Sequence, residues 1–304
     1  EEINAMNVFP VPDGDTGTNM LLTMQAVREA VGKSNHLDMP SLCKAISRGS
    51  LMGARGNSGV VLSQILKGMT EVFAQCEAVD VATMSEALSR GCEVAYRAVM
   101  KPVEGTILTV VREASDEGAR IKEGSGSLEE WFAGVVHKAR ETLEQTPELL
   151  PVLKEAGVVD AGGRGLLAIF EGMLAHLCGD RLAEREGEAG QVAAMIHPQI
   201  EDYRYEAQFM LHCKDSKAEE FREVLNRLGG SVLVVGGDRL YRVHVHTDEL
   251  GKVIEEASGI GRMTDVEITD LKLQSQEASS PCKEETKPVG VVAVAVGEGI
   301  KEEI

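Results

Sequence analysis

Apolar side chains recur at helical spacing through most of the first 180 residues. Between Thr16 and Val31 the stripe is Met20, Leu21, Met24, Val27 and Val31, which share one face of a helix. The pattern repeats over Gly59–Cys76, with Val60, Val61, Ile65, Leu66 and Met69, and predicts helices over Thr83–Met100 and Thr106–Ile121. Ser127 followed by Glu130 is a capping-box signature ahead of Trp131. A last helix is expected from about Gly163 to Leu177, with Gly179 to stop it. No hairpin signal interrupts residues 1–180, so this part reads as an all-α bundle.

Residues 181–200 are polar and Gly-bearing and read as a linker. The period then changes. Tyr205–Cys213, Ser231–Val235, Leu240–Thr247 and Val266–Leu273 read as strands, and Ser216–Leu228 and Gly251–Ser258 as helices. The order β-α-β-β-α-β predicts a ferredoxin-like α+β domain over 201–274. Residues 275–288, rich in Ser, Glu and Lys, read as a second linker, and Gly290–Val296 as the first strand of a third domain over 289–304. The chain starts without Met in what looks like helix interior and stops in another, so residues are expected beyond both ends.

Composition narrows the function classes. A formal net charge of -18 argues against a broad phosphate-backbone footprint, which needs clustered Lys and Arg. The longest near-apolar run, Val289–Val296, is strand-sized and too short to span a membrane. The six Cys are scattered with no C-x-x-C pair, which fits a reduced, cytoplasmic setting better than a disulfide framework.

Four constellations carry candidate chemistry. In Asn7-Val8-Phe9-Pro10-Val11-Pro12-Asp13-Gly14-Asp15-Thr16-Gly17-Thr18-Asn19, a sharp Gly turn can aim Asp13 and Asp15 at one point, as Mg²⁺ with nucleotide phosphates requires. Asn7 can add a carbonyl oxygen, while Thr16, Thr18 and Asn19 open a helix whose free N–H groups suit phosphate. The plain alternative is a D-G turn with an N-cap. The loop Gly53-Ala54-Arg55-Gly56-Asn57-Ser58-Gly59 also precedes a helix; it is no Walker A loop, and a tight helix connection is its plain alternative. Lys101–Thr106 and Val159–Gly165 mark two further helix starts, so several such loops gathered at one end of a bundle suggest a ligand site. His244-Val245-His246 puts two imidazoles on one face of a strand. A metal there needs a further ligand, for which Glu206, His212 and Cys213 are candidates; otherwise the pair is an ordinary part of a sheet face. Trp131 and the Met residues at helical spacing read as core.

Asn4–Met20, Gly53–Gln64, Lys101–Glu113 and Val158–Leu167 together resemble the nucleotide-binding L-subunit (DhaL) domain of dihydroxyacetone kinase. More closely, the chain resembles the catalytic-subunit (FakA) family of bacterial fatty acid kinases, in order over almost its whole length. The resemblance implies an antiparallel helical barrel binding ATP through Mg²⁺. Asp13 and Asp15 match its metal-binding pair, and Asn7 falls where dihydroxyacetone kinases carry a further Asp. Thr16, Thr18, Asn19, Ser58 and Gly59 match phosphate-contacting positions, and Thr106 and Asp160 nucleotide-pocket positions. Arg55 or Arg164 is the expected stabiliser of transferred charge, Arg55 being the first choice. The family's middle domain can bind Zn²⁺ through a Cys and the H-x-H pair; here Glu206 stands at the Cys position, so carboxylate with His244 and His246 is the implied set. The third domain would be DegV-like and dock a fatty-acid-binding carrier protein (FakB), and a homodimer through the middle domain is implied. The expected reaction is phosphorylation of a fatty acid carboxylate. A glycerone (dihydroxyacetone)-type kinase and a non-catalytic nucleotide-binding scaffold are the rival readings.

Overall fold

The computed structural model describes residues 1–34, 38–124, 126–180, 203–213 and 218–273. Both expected linkers and the expected third domain lie outside the described residues.

The first domain is helical, as the periodicity predicts: α1 (Glu2–Ala5), α2 (Thr16–Gly32), α3 (Met39–Gly53), α4 (Gly56–Phe73), α5 (Val81–Ala98), α6 (Ile107–Ile121), α7 (Leu128–Leu149), α8 (Pro151–Ala156) and α9 (Ala161–Leu177). Successive long helices pack on one another and α9 returns against α2, which closes the bundle into a barrel. Its core holds Leu62, Ile65, Leu88, Val111, Trp131, Phe132, Leu166 and Phe170. Side-chain caps set several starts, because the first N–H groups of a helix have no internal partner. Asp38 accepts from Ser41 N, Asp80 from Thr83 N and Ser127 from Glu130 N. Glu130 reaches back to Gly126 N at 2.9 Å rather than to Ser127, so the box is offset by one residue. Gly179 (φ +75°) ends α9 in a Schellman motif, with Asp180 N donating to Ala175 O and Gly179 N to His176 O.

Two helices escape the apolar pattern. The fully buried side of α3 is Cys43, Gly49 and Ser50, too small and polar to make a stripe. The short α8 starts at Pro151 and stops at Gly157 (φ +67°). Pro147 near the end of α7 cannot donate to Leu143 O, and the Thr146 hydroxyl fills that acceptor at 2.6 Å.

Small residues let α4 and α5 cross closely. A Cβ on Gly68 would stand 2.5 Å from Arg90 O, and one on Gly91 2.9 Å from Ile65 O. Backbone cannot yield as a side-chain tip does, so Gly68→Ala should cost about 1–3 kcal/mol of stability. A urea midpoint equal to wild type would contradict this crossing.

The second domain has β1 (Tyr205–Cys213), α10 (Ala218–Leu228), β2 (Gly229–Gly237), β3 (Leu240–Thr247), α11 (Leu250–Ile260) and β4 (Gly261–Asp270). The sheet order β2-β3-β1-β4, antiparallel throughout, is the ferredoxin-like arrangement. The last strand differs from expectation. It runs Gly261–Asp270 rather than Val266–Leu273, because α11 feeds it without a loop and Gly261 packs directly on the His212 carbonyl.

Alternation sorts the sheet into two faces. Ala207, Phe209 and Leu211, with Val243 and Val245, meet Phe221 and Leu225 of α10 and Val253 and Ala257 of α11. The opposite face carries Glu206, Gln208 and Met210 beside His246, His244 and Arg242. It is buried because the helical domain covers it: Leu233 and Val235 pack on Ala54, Val60 and Ala98.

Candidate active site

The acidic corner lies between α1 and α2. Gly14 (φ +69°) provides the left-handed turn that separates Asp13 from Asp15. Buried Asn7 donates its side-chain amide to Asp13 Oδ1. Asp15 is the N-cap residue of α2, and its carbonyl accepts from Asn19 N at 2.8 Å. Burial, then the neighbouring Asp15 and Glu206 carboxylates, pushes Asp13 up to about 8.

The Gly-rich loop brings α4 to the same place. Gly56 (φ +56°) allows the close approach, since a Cβ there would lie 2.5 Å from Asn19 Nδ2. The N termini of α6 and α9 lie alongside. Thr106 is the N-cap residue of α6, with its hydroxyl on Val103 O at 2.8 Å. Asp160 caps α9, accepting from Gly163 N at 2.7 Å, and burial raises it to about 6 against the pull of the Gly163 and Ile107 N–H groups. A Cβ on Gly162 would sit 3.3 Å from Asp160 Oδ2 and 3.4 Å from Ser58 Oγ, so these helix starts do converge.

The third component comes from the sheet. Glu206, His244 and His246 are buried and offer ligand atoms within 4.8 Å of one another. His244 Nε2 and His246 Nε2 are 3.2 Å apart, and His246 Nε2 is 3.5 Å from Glu206 Oε2. Burial would raise Glu206, but His244 and His246 outweigh it and bring the carboxyl down to about 2. His212 is exposed and meets Thr264 Oγ1 at 3.2 Å, while Cys213 faces the core under α10 and α11; neither joins the cluster.

Asn7, Asp13, Asp15, Thr16, Asn19 and Ser58, with Gly56 and Asn57, share one cavity with Glu206 and His246 of the sheet. Its volume is about 20 Å³, the space of one ion or water. Three carboxylates line it and no Lys or Arg does. That donor set, with an acid held protonated by its neighbours, fits a hard divalent cation.

Residues 10–175 match the DAK2 domain, and residues 202–278 match the middle domain of FakA-like fatty acid kinase proteins. The chain belongs to the FakA-like fatty acid kinase family of DAK2-domain proteins. It is 38% identical over 322 residues to Protein YloV of Bacillus subtilis, covering 98% of this chain and 58% of that protein. It is 37% identical to an uncharacterized protein of Staphylococcus saprophyticus and 37% to one of Staphylococcus aureus, each covering 99% of this chain and 58% of the relative. The chain thus spans about three-fifths of the length of these curated relatives.

Some residues expected at the DAK2 site lie elsewhere. Thr18 is exposed and tied to Asn4, whose Nδ2 donates to Thr18 Oγ1 at 2.8 Å and whose Oδ1 accepts from Thr18 N at 3.0 Å. Gly59 packs on Thr23 behind the loop. Arg55 is the N-cap residue of α4 and pairs with Glu267 of β4 at 2.6 Å. Arg164 lies 3.8 Å from Glu2 and 3.7 Å from Glu171. Neither guanidinium lines the cavity. Gln208 and Arg242, both absent from the sequence-based expectations, are buried at the junction of the two domains. The signal available for Gln208 was its place two residues after Glu206, hence on the same sheet face.

Proposed function

We propose that this chain carries an ATP- and Mg²⁺-dependent phosphotransferase centre that phosphorylates the carboxylate of a fatty acid presented by a separate binding protein. The observation that carries the reading is the ion-sized cavity where Asp13 and Asp15 meet the N terminus of α4. Asp13 and Asp15 would hold Mg²⁺, with Asn7 fixing the Asp13 carboxylate. When bound, Mg²⁺ supplies charge neutralisation for the β- and γ-phosphate oxygens. The cavity takes a cation and no more, so the phosphates would lie along the starts of α4 and α9, within reach of Ser58, Asn19 and Thr16. Thr106 and Asp160 extend that row toward the rest of the nucleotide.

A fatty acid is ionised at neutral pH, so its carboxylate oxygen attacks the γ-phosphorus without a general base. The new O–P bond replaces the β–γ bridge bond, and ADP leaves with that electron pair. The enzyme's task is alignment and charge neutralisation, which suits a site built from carboxylates and helix N termini. Glu206, His244 and His246 would hold a second cation such as Zn²⁺. Their nitrogen–nitrogen spacing of 3.2 Å suits a tetrahedral ion with bonds of about 2.0 Å. The family match supports the carrier-protein reading over a small hydroxy-ketone. ATP turnover in the full-length protein should rise with a fatty-acid-loaded carrier. A rise only with a dihydroxyacetone-binding subunit would replace the substrate, and nucleotide binding without turnover in either case would leave a scaffold.

Proton competition at Asp13 gives a pH signature. Its folded-state value is raised, so the cation-free protein holds that proton up to about pH 8 and loses stability as pH rises from the ordinary Asp range to there. Cation binding must expel the proton. Mn²⁺ affinity, read by titration calorimetry, should therefore climb about tenfold per pH unit from pH 6 and level off near 8. A flat profile would remove Asp13 from the ligand set.

A further inference from the structure

We propose that Gln208 is a positioning residue that fixes the N terminus of α4, the phosphate-facing helix, against the carboxylate of Glu206. The role in phosphate capture rests on the phosphotransferase reading; the hydrogen-bond geometry does not. Gln208 is buried on the polar face of β1, and its side chain meets both domains. Its Oε1 accepts from Gly56 N at 3.1 Å, a bond across 152 residues of chain. The same oxygen accepts from Arg242 Nη2 at 3.2 Å. Its Nε2 donates to Glu206 Oε1.

These partners leave the amide one orientation. A backbone N–H and a guanidinium can only donate, so both must face the oxygen; a carboxylate accepts, so it faces the nitrogen. Arg242 is fully buried, and its Nε and Nη1 find no hydrogen-bond partner among the described residues. Its bond to Gln208 is therefore costly to lose, which locks the amide further. Gly56 N is the first free donor of α4, and Gly59 N begins the internal ladder on Arg55 O. With Gly56 N held by Gln208, the N–H groups of Asn57 and Ser58 remain to meet an anion at the cavity. Gln208 thus sets where those donors stand relative to Glu206 and the acidic corner. No other side chain supplies the set: glutamate lacks the donor, and leucine lacks both groups.

The other polar contacts between the domains are the half-exposed Arg55–Glu267 pair and Lys67 Nζ on Gly236 O at 3.2 Å. They provide the control for docking alone. The experiment compares wild type, Gln208→Leu, Gln208→Glu and Glu267→Ala in the full chain. It measures amide exchange at Gly56 without ligand, calorimetric affinity for Mg²⁺ with a non-hydrolysable ATP analogue, and thermal midpoint. Gln208→Leu should speed Gly56 exchange and weaken the nucleotide, each by about tenfold, with the helical domain's midpoint little changed. Gln208→Glu keeps the acceptor and should keep Gly56 protected. Glu267→Ala should leave Gly56 protected too. Unchanged exchange in Gln208→Leu overturns the proposal, and so does equal deprotection in Glu267→Ala, which would make Gln208 one docking contact among several. Faster exchange with unaltered nucleotide affinity overturns the phosphate role alone. A wild-type chain that binds no nucleotide refutes the kinase reading itself, while its Gly56 exchange still reports on the hydrogen bond.

Discussion

Asp13→Asn and Asp15→Ala are each expected to remove phosphoryl transfer, by roughly 10³-fold or more, while helical content stays at the wild-type level. The size follows from what the pair holds. Losing one carboxylate loosens the cation that neutralises the transferred phosphate, and several kcal/mol of barrier correspond to that many powers of ten. The sign on stability runs the other way. Asp13 is held near pKa 8 by burial and by Asp15 and Glu206, so ionising it in the cation-free protein works against folding. Asparagine keeps the shape and removes that repulsion. At pH 8 without divalent cation, Asp13→Asn should therefore melt no lower than wild type, and added Mg²⁺ should no longer raise its midpoint. Normal turnover in either variant would end the metal assignment, and collapse of the helical signal would make the corner structural.

The second large effect is expected in the sheet. Full-length protein purified gently should carry one transition-metal ion per chain at Glu206, His244 and His246, and His246→Ala should lower its affinity about 100-fold or more. His246 is the ligand shared by both groupings: it contacts His244 in the cluster and lines the cavity with Asp13 and Asp15. Its loss should therefore disturb Mg²⁺-nucleotide binding as well, whereas His244→Ala, which lies off the cavity lining, should act on the sheet metal alone. Elemental analysis without metal, together with no Zn²⁺ uptake on titration, would dispose of this site.

Gln208 links these two expectations. It holds Glu206 on one side and Gly56 on the other, so cation binding in the sheet and anion binding at α4 share a rigid element. Bound states at the two places are then expected to alter one another's affinity by the same factor.

Much of the architecture was legible in the residues because it is written locally. Most long helices declared themselves by apolar spacing, and the change to strand alternation marked the second domain. The exceptions are instructive. Helix α3 hides because it packs with Gly49 and Ser50, where close approach replaces bulk. The acidic corner was legible from Asp13-Gly14-Asp15, whose turn needs only neighbours in sequence. Arg55 looked like a charge stabiliser because it stands in a Gly-rich loop, yet its partner is Glu267 on a distant strand. No local pattern could have announced that pair.

Element types, their order and the short turn carrying Asp13 and Asp15 were already set by the order of residues. Those features depend on backbone preference and on which face of one element is apolar. It took the folded arrangement to close the polar face of the sheet over the start of α4, bringing Glu206, His246 and Gln208 to the acidic corner. Alternation puts Glu206, Gln208, Arg242 and the two histidines on one face, but it does not say whether water or protein covers that face. Docking of Leu233 and Val235 on Ala54, Val60 and Ala98 buries it, and burial turns ordinary polar residues into a site.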